Sequence, residues 1–408
     1  MTGPGVVRSP GGVTTALSLC LVANLAPLMA FPAVLPEISN AWQLSAADAG
    51  WIGGIYFAGY ALAVPVLSGA ADRLDGRWLV AASSLLGAAA GFAFAELANG
   101  FWLALALRFL GGVALAGVHM PGLVLLTERI EGPSQARAVS FYTASYALGS
   151  SGSFLLAGVA SALLGWRYAF LVSAIGPLLA VIAVVGLSPP PLRQVSADLI
   201  PAFRSVLRNR SFMAYVFGFA GNTWEVFGIR VWFVACLAWT VRIPGNELDL
   251  PNLAVIAGLA SLAGVPASIF VAEVASRWSR PHVIVVTCVV SVAVCVALAA
   301  TAGGKVALVL SLLILLQITS FADVGALGVG AVKSLEPGRR GAAMAVYALT
   351  GFTTGFLGPA AIGLALDLFG GSESASGWTA AFLIMALGST AAALAVWSAR
   401  SAGQAKRV

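Results

Sequence analysis

Long apolar stretches follow one another along almost the whole chain, and few charged residues interrupt them. Hydrophobic residues make up 60% and charged residues 9% of the 408 residues, whereas a soluble domain carries about 25% charged residues. A membrane-spanning helix needs about 20 apolar residues, and these stretches reach that length. None of them shows the two-residue alternation of a membrane β-barrel. The pattern therefore predicts an all-α membrane protein.

The stretches number twelve, and each predicts one transmembrane helix. The first has no cleavable signal pattern before it, so we interpret it as a permanent span. The predicted spans are residues 13–35, 46–71, 78–98, 101–126, 138–161, 168–188, 212–240, 251–275, 282–302, 305–331, 341–365 and 378–398.

The basic residues are distributed unevenly between the two sides of this twelve-span arrangement. Of the 22 Lys and Arg residues, 17 fall on one side and three, Arg167, Arg242 and Lys305, on the other. Arg108 and Arg230 lie inside spans. Because cytoplasmic loops carry such an excess, we expect both termini in the cytoplasm and the chain in the plasma (bacterial inner) membrane. The net charge of +6 then follows from topology and indicates no nucleic-acid partner.

The chain carries signs of an internal duplication. Ser68–Arg77 reads SGAADRLDGR, and Val271–Arg280 reads VAEVASRWSR, with Arg73 and Arg277 half of the 408-residue length apart. The pattern Gly-Trp-x-x-Ala-Phe also occurs twice, at residues 165–170 and 377–382. Two related halves of a membrane chain are typical of a duplicated transporter.

The stretch Pro189–Arg210 separates the two halves, because it breaks the hydropathy with prolines and four arginines. We therefore predict an N-terminal six-helix bundle at residues 1–188, a cytoplasmic linker at 189–210 and a C-terminal six-helix bundle at 211–408. The four cysteines lie in apolar stretches without CxxC spacing, and we interpret them as packing residues.

These features resemble the major facilitator superfamily (MFS) over essentially the whole chain. Its loop between spans two and three resembles G-x-L-a-D-r-x-G-r-r, which Asp72, Arg73 and Arg77 fit, whereas Ser68, Ala70 and Asp75 depart from it. Arg108 followed by Gly111 and Gly112 resembles the family's fourth span. The resemblance implies the MFS fold, with 12 transmembrane helices in two pseudo-symmetric six-helix bundles, and transport by alternating access.

The charged loops suggest an inside gate. Asp72, Arg73 and Arg77, with Arg277 in the second half, can form ion pairs and cap helix ends at the cytoplasmic mouth. Such a cluster can latch the outward-open state and separate when the inside opens. The alternative is that these residues serve only as a topology signal.

Five ionisable residues lie well inside predicted spans, namely Arg108, His119, Glu225, Arg230 and Asp323. A charge at mid-bilayer costs about 2.5–3.5 kcal/mol on insertion scales, so these groups should face a polar cavity or one another. We expect Glu225 and Asp323 to couple transport to protons. We expect Arg108, Arg230 and His119 to bind the substrate, or, alternatively, the arginines to neutralise a carboxylate or bond helix carbonyls.

The seventh span places Gly218, Asn222, Glu225, Ile229 and Trp232 on one helical face. Arg230 points away from that face, so it would not pair with Glu225 in an ideal helix. Either a break near Gly228 brings the two charges together, or Arg230 faces the cavity while Glu225 bonds a neighbouring helix.

Aromatic residues occur at helical spacing in several spans, flanked by glycine, serine and threonine. We expect them to line the substrate cavity with Asn222, with helix packing as the equally supported alternative. The candidates are Tyr56, Tyr60, Tyr142 and Tyr347.

We therefore expect a proton-coupled secondary active transporter of a small organic or inorganic anion. The alternative is proton-antiport efflux of lipophilic or cationic drug-like compounds, attracted by Glu225 and Asp323. No Walker, HExxH or GxSxG sequence occurs, so we expect no enzyme activity, cofactor or metal. The expected partners are a small-molecule substrate, protons and the lipid bilayer, and we expect a monomer.

Overall fold

The computed structural model describes residues 9–71, 73–188, 205–246, 248–335 and 340–404, and these residues form helices joined by short connections. Asp72 and residues 189–204 of the predicted linker lie outside this part. The helices are α1 (Pro10–Leu25), α2 (Ala30–Ala33), α3 (Leu35–Trp42), α4 (Ala46–Ala71), α5 (Gly76–Leu97), α6 (Phe101–Arg129), α7 (Pro133–Leu164), α8 (Trp166–Val185), α9 (Arg210–Arg242), α10 (Leu253–Arg277), α11 (Arg280–Ala300), α12 (Val306–Ala322), α13 (Val324–Lys333), α14 (Arg340–Leu368) and α15 (Ala375–Gln404).

Within the described residues, 11 helical segments are long and apolar enough to cross a membrane. One of them, Val306–Lys333, combines α12 and α13. α1 is apolar but too short to count by itself. Together with α1, these segments agree with the twelve predicted spans, and the prediction of an all-α membrane fold is confirmed.

The first predicted span is wrong in one respect, because residues 13–35 do not form one continuous helix. α1 ends at Leu25, and the chain turns through residues 26–29 before the short helix α2. Proline lacks the N–H that an inner helical turn requires. Pro27 lies in the turn and Pro32 within α2, so each removes a backbone donor at the point where the helix is interrupted.

The tenth span is also interrupted, which the sequence did not indicate. Asp323 lies between α12 and α13. Just beyond it, the amide of Gly325 donates to the hydroxyl of Ser268 on α10 at 3.2 Å. A side chain from a neighbouring helix thus replaces a hydrogen bond of the regular helical ladder.

The seventh span has no break near Gly228, so that alternative is wrong. α9 runs without interruption from Arg210 to Arg242. A Cβ atom on Gly228 would lie 2.7 Å from a side-chain carbon of Ile362. The glycine therefore allows close packing of α9 against α14, as small residues do between membrane helices.

The helices group into two compact units. The first contains residues 1–37 and 55–196, and the second contains residues 38–54 and 197–408. In the first unit, α5 packs against α6 and α8, and α1 packs against α7 and α8. In the second unit, α9 is the most buried span and packs against α14 and α15.

Candidate functional site

Arg108 on α6 holds the interrupted part of the first span. Its two terminal nitrogens donate to the carbonyl oxygens of Pro27 and Leu28, each at 3.1 Å. Its guanidinium carbon lies 4.6 Å from the centre of the Tyr56 ring, a cation–π contact. The residue is only 4% exposed. These contacts are those of the alternative in which the arginine bonds helix carbonyls.

Ser153 on α7 completes the hydrogen bonding of the same turn. Its hydroxyl donates to the carbonyl of Ala26 at 2.5 Å and accepts the amide of Met29 at 2.9 Å. One turn earlier, a Cβ atom on Gly149 would lie 2.8 Å from Leu25. This part of α7 therefore packs on α1.

His119 on α6 lies among three tyrosines of the first unit. Its Nδ1 is 2.8 Å from the hydroxyl of Tyr60, and its carbonyl accepts the hydroxyl of Tyr142 at 2.8 Å. The ring centres of His119 and Tyr146 are 4.9 Å apart. Three of the predicted substrate residues are thus brought together by α4, α6 and α7.

A cavity of about 450 Å³ lies between α1 and the first turns of α7. This volume is within the range of about 300–1,000 Å³ that ligand pockets show. Arg137 is the charged residue among the described residues that line it. Hydroxyl groups also line it, from Thr14, Thr15, Ser18, Ser134 and Ser145. In the sequence, Arg137 is one of the 17 basic residues on the predicted cytoplasmic side, and nothing around it indicates a pocket.

In the second unit, Asp323 is 2% exposed and bonded by neutral donors. The amide of Asn222 on α9 donates to one carboxylate oxygen at 2.7 Å. The thiol of Cys288 on α11 donates to the other at 3.5 Å. Two residues predicted separately, Asn222 and Asp323, therefore form one site.

Glu225 is fully buried and receives three hydrogen bonds, all from neutral side chains. Ser291 donates at 2.9 Å and Cys295 at 3.3 Å, both from α11. The third donor is the hydroxyl of Ser389 on α15. Glu225 thus bonds neighbouring helices, as one of the two sequence alternatives stated. Its donors were missed because isolated Ser and Cys residues are common in apolar spans.

Arg230 and Tyr347 lie among aromatic side chains of the second unit. The guanidinium carbon of Arg230 is 5.2 Å from the centre of the Phe321 ring, and the residue is 3% exposed. The ring of Tyr347 stacks on Phe219 with centres 4.1 Å apart. Among the described residues, the buried hydroxyl of Tyr347 has no hydrogen-bond partner.

The loop before α5 forms a compact ion pair inside the first unit. Arg77 contacts the carboxylate of Asp75 at 2.7 Å and donates to the carbonyl of Leu187 at 2.5 Å. Burial by itself raises the pKa of Asp75, but the hydrogen bonds from Arg77 outweigh it and hold this pKa below its usual value. Arg77 thus joins the start of α5 to the end of α8.

The other described gate candidates, Arg73 and Arg277, lie at the protein surface. Arg73 is exposed, and Asp72 lies outside the described residues. Arg277 pairs at 2.8 Å with Glu273 one turn earlier on α10, and both side chains are well exposed. Exposed ion pairs of this kind contribute little stability. The gating role of these residues stays a prediction.

The comparisons with known proteins point to one family. Residues 17–335 match the Major Facilitator Superfamily. The niacin transporter NiaP of Acinetobacter baylyi is 30% identical over 139 residues, which are 34% of this chain and 31% of NiaP. The organic cation/carnitine transporter 4 of Arabidopsis thaliana is 32% identical over 148 residues, 35% of this chain and 27% of that protein. The matches thus span about a third or less of these relatives.

Solved structures share the fold over nearly the full length. A bacterial homologue of the human lysosomal transporter Spinster, in an inward-facing and occupied conformation, has a TM-score of 0.82 at 17% identity, with 97% of this chain and 98% of that chain covered. The nucleoside transporter NupG has a TM-score of 0.74 at 16% identity, with 95% and 98% covered. With these helices and a family match over residues 17–335, the chain belongs to the Major Facilitator Superfamily and is an integral, multi-pass membrane protein.

Proposed function

We propose that the chain carries a small organic anion across the bacterial inner membrane in symport with protons, by alternating access. The observation that carries the substrate class is the cavity between α1 and α7, with Arg137 and five hydroxyl groups in its lining. A guanidinium binds a carboxylate through two parallel hydrogen bonds. The hydroxyl of Ser18 has no hydrogen-bond partner among the described residues and is a further donor. A volume of about 450 Å³ leaves room for a compact organic acid.

The two partial relatives support a carboxylate as the anionic group. Niacin, in the name of the Acinetobacter relative, is a pyridine carboxylic acid. Carnitine, in the name of the Arabidopsis relative, also bears a carboxylate. Niacin and carnitine differ in the rest of the molecule. The proposal therefore covers the carboxylate group and no particular compound.

Proton coupling is supported by the surroundings of Glu225 and Asp323. Their carboxyl groups are buried, and hydroxyl, thiol and amide groups supply their hydrogen bonds. A proton bound at either residue removes a negative charge that is costly inside a membrane. Its release restores that charge, so each residue can exist in two states that differ in energy. A carrier needs such a difference in order to couple two fluxes.

The proposal is tested with purified protein in proteoliposomes and radiolabelled nicotinate as the probe. An inward proton gradient should drive accumulation, and a protonophore should abolish it. Arg137→Gln should raise KM at least tenfold, and Arg137→Lys less. Arg242→Gln is the matched control. Arg242 forms an exposed ion pair with Glu373, so this variant should transport normally. An unchanged KM in Arg137→Gln would show that the cavity does not bind the substrate.

Efflux of organic cations is a second candidate. The observation that favours it is the group of rings around His119, because aromatic faces attract cations. The name of the Arabidopsis relative also includes organic cations. Counterflow with radiolabelled tetraethylammonium separates the two functions. Exchange of tetraethylammonium without exchange of nicotinate would favour efflux, and the opposite result would favour the anion carrier.

A further inference from the structure

A second, much smaller cavity lies beside Arg108 in the first unit. Its volume is about 20 Å³, and residues of α4, α5, α6 and α8 line it together with Pro27. Small residues of α5 make the space, among them Ala90 and Gly91. This cavity is separate from the larger one between α1 and α7, with which it shares no lining residue.

The cavity adjoins an arginine whose charge is not neutralised by any carboxylate of the described residues. Arg108 is 4% exposed, and its described contacts are two backbone carbonyls and the rings of Phe31 and Tyr56. Its Nε is buried and has no hydrogen-bond partner among the described residues. A buried cation requires a counter-charge or a large desolvation cost. Among the described residues, the side chain thus has one N–H without an acceptor and a positive charge without a negative counter-charge, next to the cavity.

The volume limits what can enter. A cavity needs about 10–15 Å³ to hold one water, so a space of about 20 Å³ takes one particle of water size or slightly larger. The carboxylate of an organic substrate does not fit. A water would satisfy the Nε–H but leave the charge uncompensated. A monatomic anion satisfies both.

We propose that this cavity binds one chloride ion, which accepts the Nε–H of Arg108 and neutralises its guanidinium. Because the same guanidinium holds the carbonyls of Pro27 and Leu28, chloride stabilises the interrupted first span through Arg108. The site is structural and does not depend on which solute the carrier moves.

The test compares detergent-purified protein in potassium chloride and in potassium gluconate at equal ionic strength. Tm should rise with chloride along a single-site saturation curve, as expected for a ligand bound by the folded state. Crystals grown in bromide should show an anomalous peak in contact with Arg108 Nε. Equal Tm in both salts, with no anomalous peak, would show that water fills the cavity and would overturn the proposal.

A matched pair of variants locates the effect. Ala90→Val fills the cavity and should abolish both the chloride dependence of Tm and the bromide peak. Ala88→Val changes a buried alanine of the same helix that does not line the cavity, and should keep both. A chloride response that survives in Ala90→Val would place the anion elsewhere. Arg108→Lys, which lacks the Nε–H, should lose the response if it folds.

Discussion

The side-chain amide of Asn222 donates to the carboxylate of Asp323 at 2.7 Å, and the same nitrogen donates to the carbonyl of Ser320 at 2.7 Å. One amide thus joins α9 to the last turn of α12 and to the junction between α12 and α13. The charge of Asp323 is therefore in direct contact with an interruption of the tenth span. Under the proposed proton coupling, a proton gained or lost at Asp323 would act on the geometry of both helices.

Neutralising a coupling carboxyl group should separate accumulation from exchange. We expect Asp323→Asn or Glu225→Gln to lower proton-driven accumulation at least tenfold, because the amide that replaces the carboxyl group cannot gain or lose a proton. Counterflow exchange needs no net proton movement and should persist. Uptake and counterflow in the same proteoliposomes measure both quantities. If both variants still accumulate substrate against a gradient, the coupling group lies elsewhere.

Removing the Arg108 side chain should destabilise the first unit. Arg108→Ala leaves the partly buried carbonyl of Pro27 and the buried carbonyl of Leu28 without this donor, at a cost of up to about 1–3 kcal/mol each. Ser153→Ala removes one donor and one acceptor at the same turn and should also lower Tm. Arg242→Ala, which loses only an exposed ion pair, should leave Tm nearly unchanged. An Arg108→Ala protein as stable as this control would contradict the assignment.

The pair between Asp75 and Arg77 should stabilise the protein in a pH-dependent way. The pKa of Asp75 is lowered in the folded state, so its contribution is complete above the unfolded value of about 3.9 and declines as pH falls below it. Asp75→Asn should therefore lower Tm at pH 7, and the difference from the wild type should shrink near pH 3. Thermal unfolding of both proteins across this range measures the effect. A difference that grows on acidification would have the wrong sign.

The distribution of basic residues predicts the orientation of the chain. A reporter that is active only in the periplasm, fused after Val408, should remain inactive, because 17 of the 22 basic residues fall on the side that contains both termini. The same reporter inserted after Lys305 should be active and serves as the control. Activity of the Val408 fusion would reject the predicted topology.

Much of the fold could be predicted because membrane helices are determined by local composition. About 20 apolar residues between polar ends are enough to specify a span, and the observed helices follow this rule. The two interruptions could not be predicted in the same way. They depend on partners distant in sequence, such as Ser268 for Gly325 and Arg108 for Pro27. Proline in a span is too common to indicate, by itself, which helix will break.

The candidate site shows the same division. Glu225 and Asp323 could be found from sequence, because a carboxylate within an apolar span has a large cost that must be compensated. The compensating groups Cys288, Ser291, Cys295 and Ser389 are themselves small and weakly polar. Nothing in their local sequence distinguishes them from residues that only fill space. Their role becomes visible only when α11 and α15 are placed against α9.

The interrupted first span also has a consequence for the order in which the chain is made. Pro27 precedes Arg108 by 81 residues, and Ala26 precedes Ser153 by 127 residues. While the ribosome is still translating the second and third spans, the side chains that donate hydrogen bonds to the carbonyl groups of the turn have not yet been made. Hydrocarbon offers no substitute. The newly made first segment must therefore remain near water or near the insertion machinery until the fourth and fifth spans arrive, so it settles in the bilayer only after they have been made.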